Sequence, residues 1–265
     1  MKKDTQIIAF ANNKGGVGKT TSVAAIGVLL ARKGYRTLMV DLDSQCSLTE
    51  CFLPAGMKTD NIYTLLTSTL GNLPDAIVHG EEFQNPEPGL DLIPSTPETN
   101  ELDSILAGKT NREMLLSRVF KALNINRQYD VVLIDCPPSL SLLTQNALVA
   151  STGLLVPTTA EYMPLMGLQK IRAKCLELSE YFQPGVDINA ILITHFNASK
   201  NLHTAVDDAL REHYGNIVFT TRIRENVRLA ECPQFRKPIF DYAPDSNGAA
   251  DYTKVFEEFL KIFEL

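Results

Sequence analysis

At 265 residues, with 45% hydrophobic and 21% charged side chains, the chain has the make-up of an ordinary globular protein with a sizeable core. A formal net charge of −6 excludes a general polycation, so any nucleic-acid binding must come from a local patch. No run reaches the roughly 18 apolar residues that span a bilayer, and the apolar stretch after the basic Met1-Lys2-Lys3 is too short for a signal peptide. These features predict a cytoplasmic protein, and five cysteines without a Cys-x-x-Cys pair read as scattered reduced thiols.

The apolar run Ile7-Ile8-Ala9-Phe10-Ala11 predicts a short buried strand. It runs into Asn12-Asn13-Lys14-Gly15-Gly16-Val17-Gly18-Lys19-Thr20-Thr21, and a helical pattern follows, ending near Lys33-Gly34. Strand, glycine-rich loop and helix form the context of a phosphate-binding loop. Glycines let backbone N–H groups turn toward an anion, and the helix adds its positive end. In that reading Gly15, Gly16, Val17, Gly18, Lys19, Thr20 and Thr21 cradle a nucleotide. Lys19 reaches the β- and γ-phosphates, and the Thr20 hydroxyl ligates Mg²⁺. The strict pattern is not met: Asn13 stands where its first glycine belongs, and a second lysine, Lys14, precedes Gly-Gly.

Lys-Gly-Gly-Val-Gly-Lys-Thr resembles the deviant Walker A motif of the ParA/MinD ATPases. The resemblance implies that Lys14 crosses a dimer interface to the partner's nucleotide, as an arginine finger does. A cation delivered in trans is worth ~10³ to 10⁵ in rate. It also implies ATP and Mg²⁺ as cofactors, a homodimer that forms around ATP, and catalytic roles for Lys14 and Lys19.

Thr37-Leu38-Met39-Val40 predicts the second strand, leading into Asp41-Leu42-Asp43-Ser44-Gln45. Carboxylates at i and i+2 on a strand point the same way, toward the crevice at the carboxyl ends of an α/β sheet. A plain polar turn would carry the same residues. The stretch resembles the family's second acidic motif, which implies that Asp43 orients the attacking water and that Asp41 supports the magnesium shell. Within 52–89, Ile62, Leu65 and Leu66 suggest a short helix and Ala76-Ile77-Val78 another. Leu90–Pro94 predicts a strand, and helices are expected over roughly 98–107 and 111–124.

Val131-Val132-Leu133-Ile134-Asp135 predicts a buried strand with a carboxylate at its tip, the geometry of a Walker B aspartate holding Mg²⁺ through water. Pro137-Pro138 enforce an extended exit and open a helix near Ser139. Leu154–Thr158 and Ala190–Thr194 read as further strands, with a helix opening at Glu161-Tyr162-Met163 between them. Family resemblance places the turn His195-Phe196-Asn197, and Asn197 in particular, near the adenine; a plain loop reads equally well. Together the pattern predicts a single α/β domain over 1–265: a mostly parallel twisted sheet with helices on both faces, of the phosphate-loop NTPase type, with no helix-turn-helix segment ahead of it.

Arg222, Arg224 and Arg228 cluster within seven residues, and Arg222 and Arg224 share a face if the segment is a strand. Solvated surface charge is the plainer reading. Residues 223–233 resemble the family's Pro-Arg-Asn-Val-Arg-Leu-Ser-Glu-Ala-Pro segment, whose second arginine binds DNA and maps to Arg228. A second family arginine falls on Ser199, beside Lys200, and Glu225 replaces another. The resemblance as a whole implies a ParA/Soj-type partition ATPase. It would bind DNA non-specifically through Lys200, Arg222, Arg224 and Arg228, associate with the nucleoid when ATP-bound, and be stimulated by a ParB-like partner. A MinD-like membrane-associated ATPase is the first alternative. The last helix, Tyr252 to Leu265, has an apolar face but balances Lys254 and Lys261 against three glutamates, which favours packing on the sheet over a membrane. A metal-cluster carrier or reductase partner is the second, and it would need bridging cysteines.

Overall fold

A computed structural model describes residues 4–161, 164–182 and 185–265. In chain order the elements are β1 (Gln6–Phe10), α1 (Lys19–Arg32), β2 (Thr37–Asp41), α2 (Ser47–Phe52), α3 (Ile62–Thr67), β3 (Leu90–Ile93), α4 (Leu102–Leu106), α5 (Leu115–Ala122), α6 (Ile125–Gln128), β4 (Val131–Asp135), α7 (Leu142–Ala150), β5 (Gly153–Thr159), α8 (Pro164–Tyr181), β6 (Ile188–Thr194), α9 (Asn201–Tyr214), α10 (Val227–Phe235), α11 (Ile239–Tyr242) and α12 (Asn247–Ile262). Of the expected helical start Glu161-Tyr162-Met163, Glu161 precedes α8, and Tyr162 and Met163 lie outside the described residues.

The six strands form one parallel sheet in the order β3-β2-β4-β1-β5-β6. Parallel strands covered on both faces must be apolar at nearly every position, because each pleat meets a helix. Ala9, Leu38, Val40, Val132 and Ile134 face the layer holding α3, α5, α7 and α8. Ile8, Phe10, Met39, Val131 and Leu133 face the layer of α1, α2 and α12. Each fully buried side chain of this kind contributes about 1.5–3 kcal/mol. The chain leaves β1 toward β2 on one side and later reaches β5 on the other, so a topological switch point falls at the carboxyl end of β1, where ligands of such sheets bind.

Two local features fit the neighbouring elements to the sheet. Gly27 lets α1 lie close to β2: a Cβ there would sit 2.9 Å from the Met39 sulfur. Pro157 lies inside β5 but lacks only an N–H on the side where β1 has already ended, and its carbonyl accepts from Asn12 Nδ2 at 2.7 Å.

Three local expectations change. Ala76–Val78 is not a helix: Val78 pairs antiparallel with Leu92 through N–H···O bonds of 2.8 and 2.9 Å and covers the outer edge of β3. The helix after Pro137-Pro138 begins at Leu142, because two consecutive prolines keep the backbone extended and Ser141 is the residue that caps into helix. The 218–225 segment is no seventh strand. It touches β6 and its exit only through isolated bridges, Ile191 with Val218 and Phe196 with Arg224. The C-terminal α12 buries Tyr252, Val255, Phe256 and Phe259 in the layer shared with α1, so its apolar face is used in the core.

Candidate nucleotide site and basic patch

The loop between β1 and α1 is held from three sides. Gly18 takes a left-handed conformation (φ 79°) immediately before the helix, and a Cβ there would press on Thr194 Cγ2 at 3.4 Å. Thr194, at the tip of β6, donates its hydroxyl to the Val17 carbonyl at 2.9 Å. Asn12 accepts from the Lys14 N–H at 3.1 Å. Lys19 is buried and folds back to donate to the Lys14 carbonyl at 3.3 Å.

Thr20 donates its hydroxyl to Asp135 Oδ2 at 2.7 Å, while Asp135 Oδ1 is buried with no hydrogen-bond partner. Register places Asp41 directly beside Asp135 at the strand tips. Burial pushes the Asp135 carboxyl well up, and Asp41's charge adds to the shift. Burial also raises Asp41, against the pull of its hydrogen bonds. Asp41 Oδ2 accepts from the Thr49 N–H at 2.9 Å and its hydroxyl at 2.8 Å, and Oδ1 accepts from the Asp43 N–H at 3.0 Å. Asp41 and Asp43 therefore do not share a face. The strand ends at Asp41, which turns inward, whereas Asp43 lies in the turn beyond and lines the loop cavity with Gly15–Thr21.

That cavity measures about 440 Å³. Its far wall is apolar: Ala24 and Ala25 of α1, Phe52 of α2, Leu229 and Pro233 of α10, and Ile239 of α11. His195 and Lys237 also line it. No residue of α10 is fully buried: Leu229 packs partly buried against the core, and the helix otherwise spans this hollow. Asn197 lies elsewhere, in a hollow with Phe196, Arg222 and Arg224. Its side chain donates to Glu225 Oε2 at 2.9 Å and accepts from the Ser199 N–H and hydroxyl at 3.0 and 2.6 Å.

Lys14 turns out of the loop to an ion pair with Glu161, and its ammonium also donates to Thr159 Oγ1 at 3.3 Å. Both side chains of the pair are more than half exposed. Lys14 holds the Glu161 carboxyl below the usual range. Glu161 and Thr49 join the site without belonging to any of its sequence motifs. An acidic residue two positions past a strand tip beside the loop was a usable signal for the first; nothing in the spacing marks the second.

The four basic residues separate into two kinds. Arg222 pairs with Asp207, whose side chain is 2% exposed and also accepts from Arg211 at 2.8 Å. Arg224 pairs with the buried Asp251 at 2.7 Å. These two arginines neutralise buried carboxylates and fasten the 218–225 segment to α9 and α12. Lys200 pairs with Glu225 at 2.5 Å, and Arg228 with Glu231 at 3.0 Å, but both remain at the surface. Arg228 follows Asn226, whose side chain accepts the Arg228 N–H at 2.9 Å and caps α10.

A family model described as an AAA domain matches residues 5–188. The chain is 40% identical over 252 residues to the chromosome-partitioning ATPase Soj of Thermus thermophilus, covering 95% of this chain and 94% of that one. It is 35% identical to the chromosome partitioning protein ParA of Myxococcus xanthus, covering 97% of this chain and 88% of that one. Among solved structures, cobyrinic acid a,c-diamide synthase of Mycobacterium smegmatis, with bound ATP analogue and magnesium, superposes with a TM-score of 0.78 at 27% identity over 98% of this chain and 96% of that one. A Borrelia burgdorferi protein described as a putative plasmid partition protein, bound to AMPPNP, superposes with a TM-score of 0.74 at 25% identity over 98% and 99%. The chain belongs to the ParA/Soj family of partition ATPases, enzymes of the phosphate-loop fold whose cofactors are ATP and magnesium.

Proposed function

We propose that this protein hydrolyses ATP with Mg²⁺ as a dimer assembled around the nucleotide, that the dimer binds DNA without sequence preference, and that a ParB-like partner stimulates turnover to move a DNA cargo. The observation that carries the nucleotide half is the Thr20–Asp135 pair. A buried carboxylate with one oxygen unpartnered, beneath a hydroxyl at the start of a glycine-loop helix, is a donor set that fits a divalent cation. The residues fit Mg²⁺–ATP: Gly15–Thr21 offer N–H groups and a helix end, and the apolar wall under α10 suits a purine. When bound, Mg²⁺ would neutralise phosphate charge and the carboxylate field. Thr20 and Asp135 would hold it, and Asp41 would support it from behind through the charge it adds beside Asp135. Lys19 would leave the Lys14 carbonyl for phosphate oxygens. Asp43, at the cavity wall, is placed to orient a water by hydrogen bonding.

Lys14 already points away from its own loop, as a residue acting on a second copy must. Non-specific DNA contacts need only exposed cations, and Arg228 and Lys200 qualify; two subunits on one rigid surface add avidity. In this reading Arg222 and Arg224 support that surface. Among the described residues no helix is long and apolar enough to cross a membrane, and α12 spends its apolar face in the core, which disfavours a MinD-like anchoring role for it. Cys136 is fully buried, which disfavours a cluster bridged through it.

DNA retention measured with ATP, ADP and no nucleotide tests the whole proposal. Wild type is expected to be retained only with ATP, Lys14→Ala to be lost, and Asp43→Ala to bind persistently without turnover. Retention that ignores nucleotide in all three proteins would overturn the proposal.

A further inference from the structure

A second polar cavity, of about 500 Å³, opens on the other side of the Ser44-Gln45 turn from the phosphate loop. Arg236, the residue that ends α10, is part of its lining. Its left-handed backbone (φ 47°) closes the helix, the Lys237 N–H donating to the Cys232 carbonyl at 3.4 Å. Its side chain is the unusual part. Its guanidinium Nε is buried with no acceptor, and among the described residues no carboxylate pairs with it. Other arginines that reach into the C-terminal segments, Arg32, Arg211, Arg222, Arg224 and Arg228, all have carboxylates. A charged donor left unsatisfied at a cavity wall is a group that a ligand can complete.

The rest of the cavity fits an anion. Lys58 adds a second cation against one carboxylate, Glu50, and Ser44 and Thr59 also line it. The volume exceeds a bare inorganic ion and suits a small polar molecule. We propose that this cavity binds a small organic anion through a phosphate or carboxylate group gripped by Arg236. A guanidinium fork matches either oxyanion side-on, and Lys58 would add a point charge. Because Ser44 and Gln45 follow Asp43 directly, an occupant would bear on the turn that carries Asp43. The binding itself does not depend on the proposed ATPase cycle.

The test is a residue-resolved NMR titration of the full chain with inorganic phosphate and, separately, citrate, at constant ionic strength. The expected result is saturable shifts at residues 44–59 and 94–97 with at least one anion; the stronger arm identifies phosphate or carboxylate as the recognised group. Arg236→Gly keeps the left-handed backbone comfortable and should weaken that binding by about tenfold or more, the loss of one charge-assisted fork. Glu50→Gln should tighten it. Shifts confined to the phosphate loop, no saturation with either anion, unchanged affinity in Arg236→Gly, or equal weakening by the surface control Lys200→Gln would each overturn the proposal.

Discussion

Replacing Glu161 by Gln tests whether the free chain holds Lys14 in reserve. The pair is short but more than half exposed on both sides, so its worth is that of a surface ion pair, about 0.2–1 kcal/mol. A dimer that recruits Lys14 from both copies would break two such pairs, about 0.4–2 kcal/mol in all, equivalent to about a twofold to thirtyfold tighter dimer once Glu161 no longer competes. Glutamine keeps the size and can still accept a hydrogen bond from Thr159, so packing at the β5 tip changes little. Sedimentation equilibrium with a non-hydrolysable ATP analogue reads the dimer constant directly, with Lys14→Ala, expected to stay monomeric, as the control. The gain should shrink as salt rises, because the competing pair is screened. A dimer constant for Glu161→Gln equal to or weaker than wild type would refute a restraining role.

The remaining predictions concern the buried charges and the patch. Asp135→Asn removes a carboxylate that burial and Asp41 make costly to ionise, so the nucleotide-free protein should melt at the same or a higher temperature; the extra stabilisation by ATP that depends on Mg²⁺ should vanish, as thermal scans with and without Mg²⁺ will show. Arg222→Ala should lower stability by about 2 kcal/mol in urea titrations, softened because Arg211 still faces the buried Asp207, whereas Arg228→Glu should leave stability nearly unchanged and abolish ATP-dependent DNA retention. Asp91 raises the His79 pKa, chiefly through their 3.1 Å hydrogen bond. The small stabilisation it brings is complete below the ordinary histidine value and lost as pH rises through the raised one. An NMR titration should place His79 above about 6.5, and Asp91→Asn should return it there.

The chain's own order of residues determined the fold class and the loop. Five-residue apolar runs alternating with helical patterns leave few arrangements other than a covered parallel sheet, and Gly-Gly-Val-Gly-Lys-Thr between strand and helix is a local signal that needs no distant partner. Asp135 was legible for the same reason, as a carboxylate ending a run that must be buried. What sequence spacing could not supply was direction across the fold. Asp41 and Asp43 have the right separation to share a face, yet β2 ends between them and Thr49, eight residues on, draws Asp41 inward. Arg222 and Arg224 look like surface cations until Asp207 and Asp251 arrive from α9 and α12. Val78 left its helical pattern because Leu92 offered an open sheet edge. Each of these outcomes turns on a hydrogen bond or ion pair between residues distant along the chain, and burial sets its strength; only the packed structure decides which groups are removed from water together.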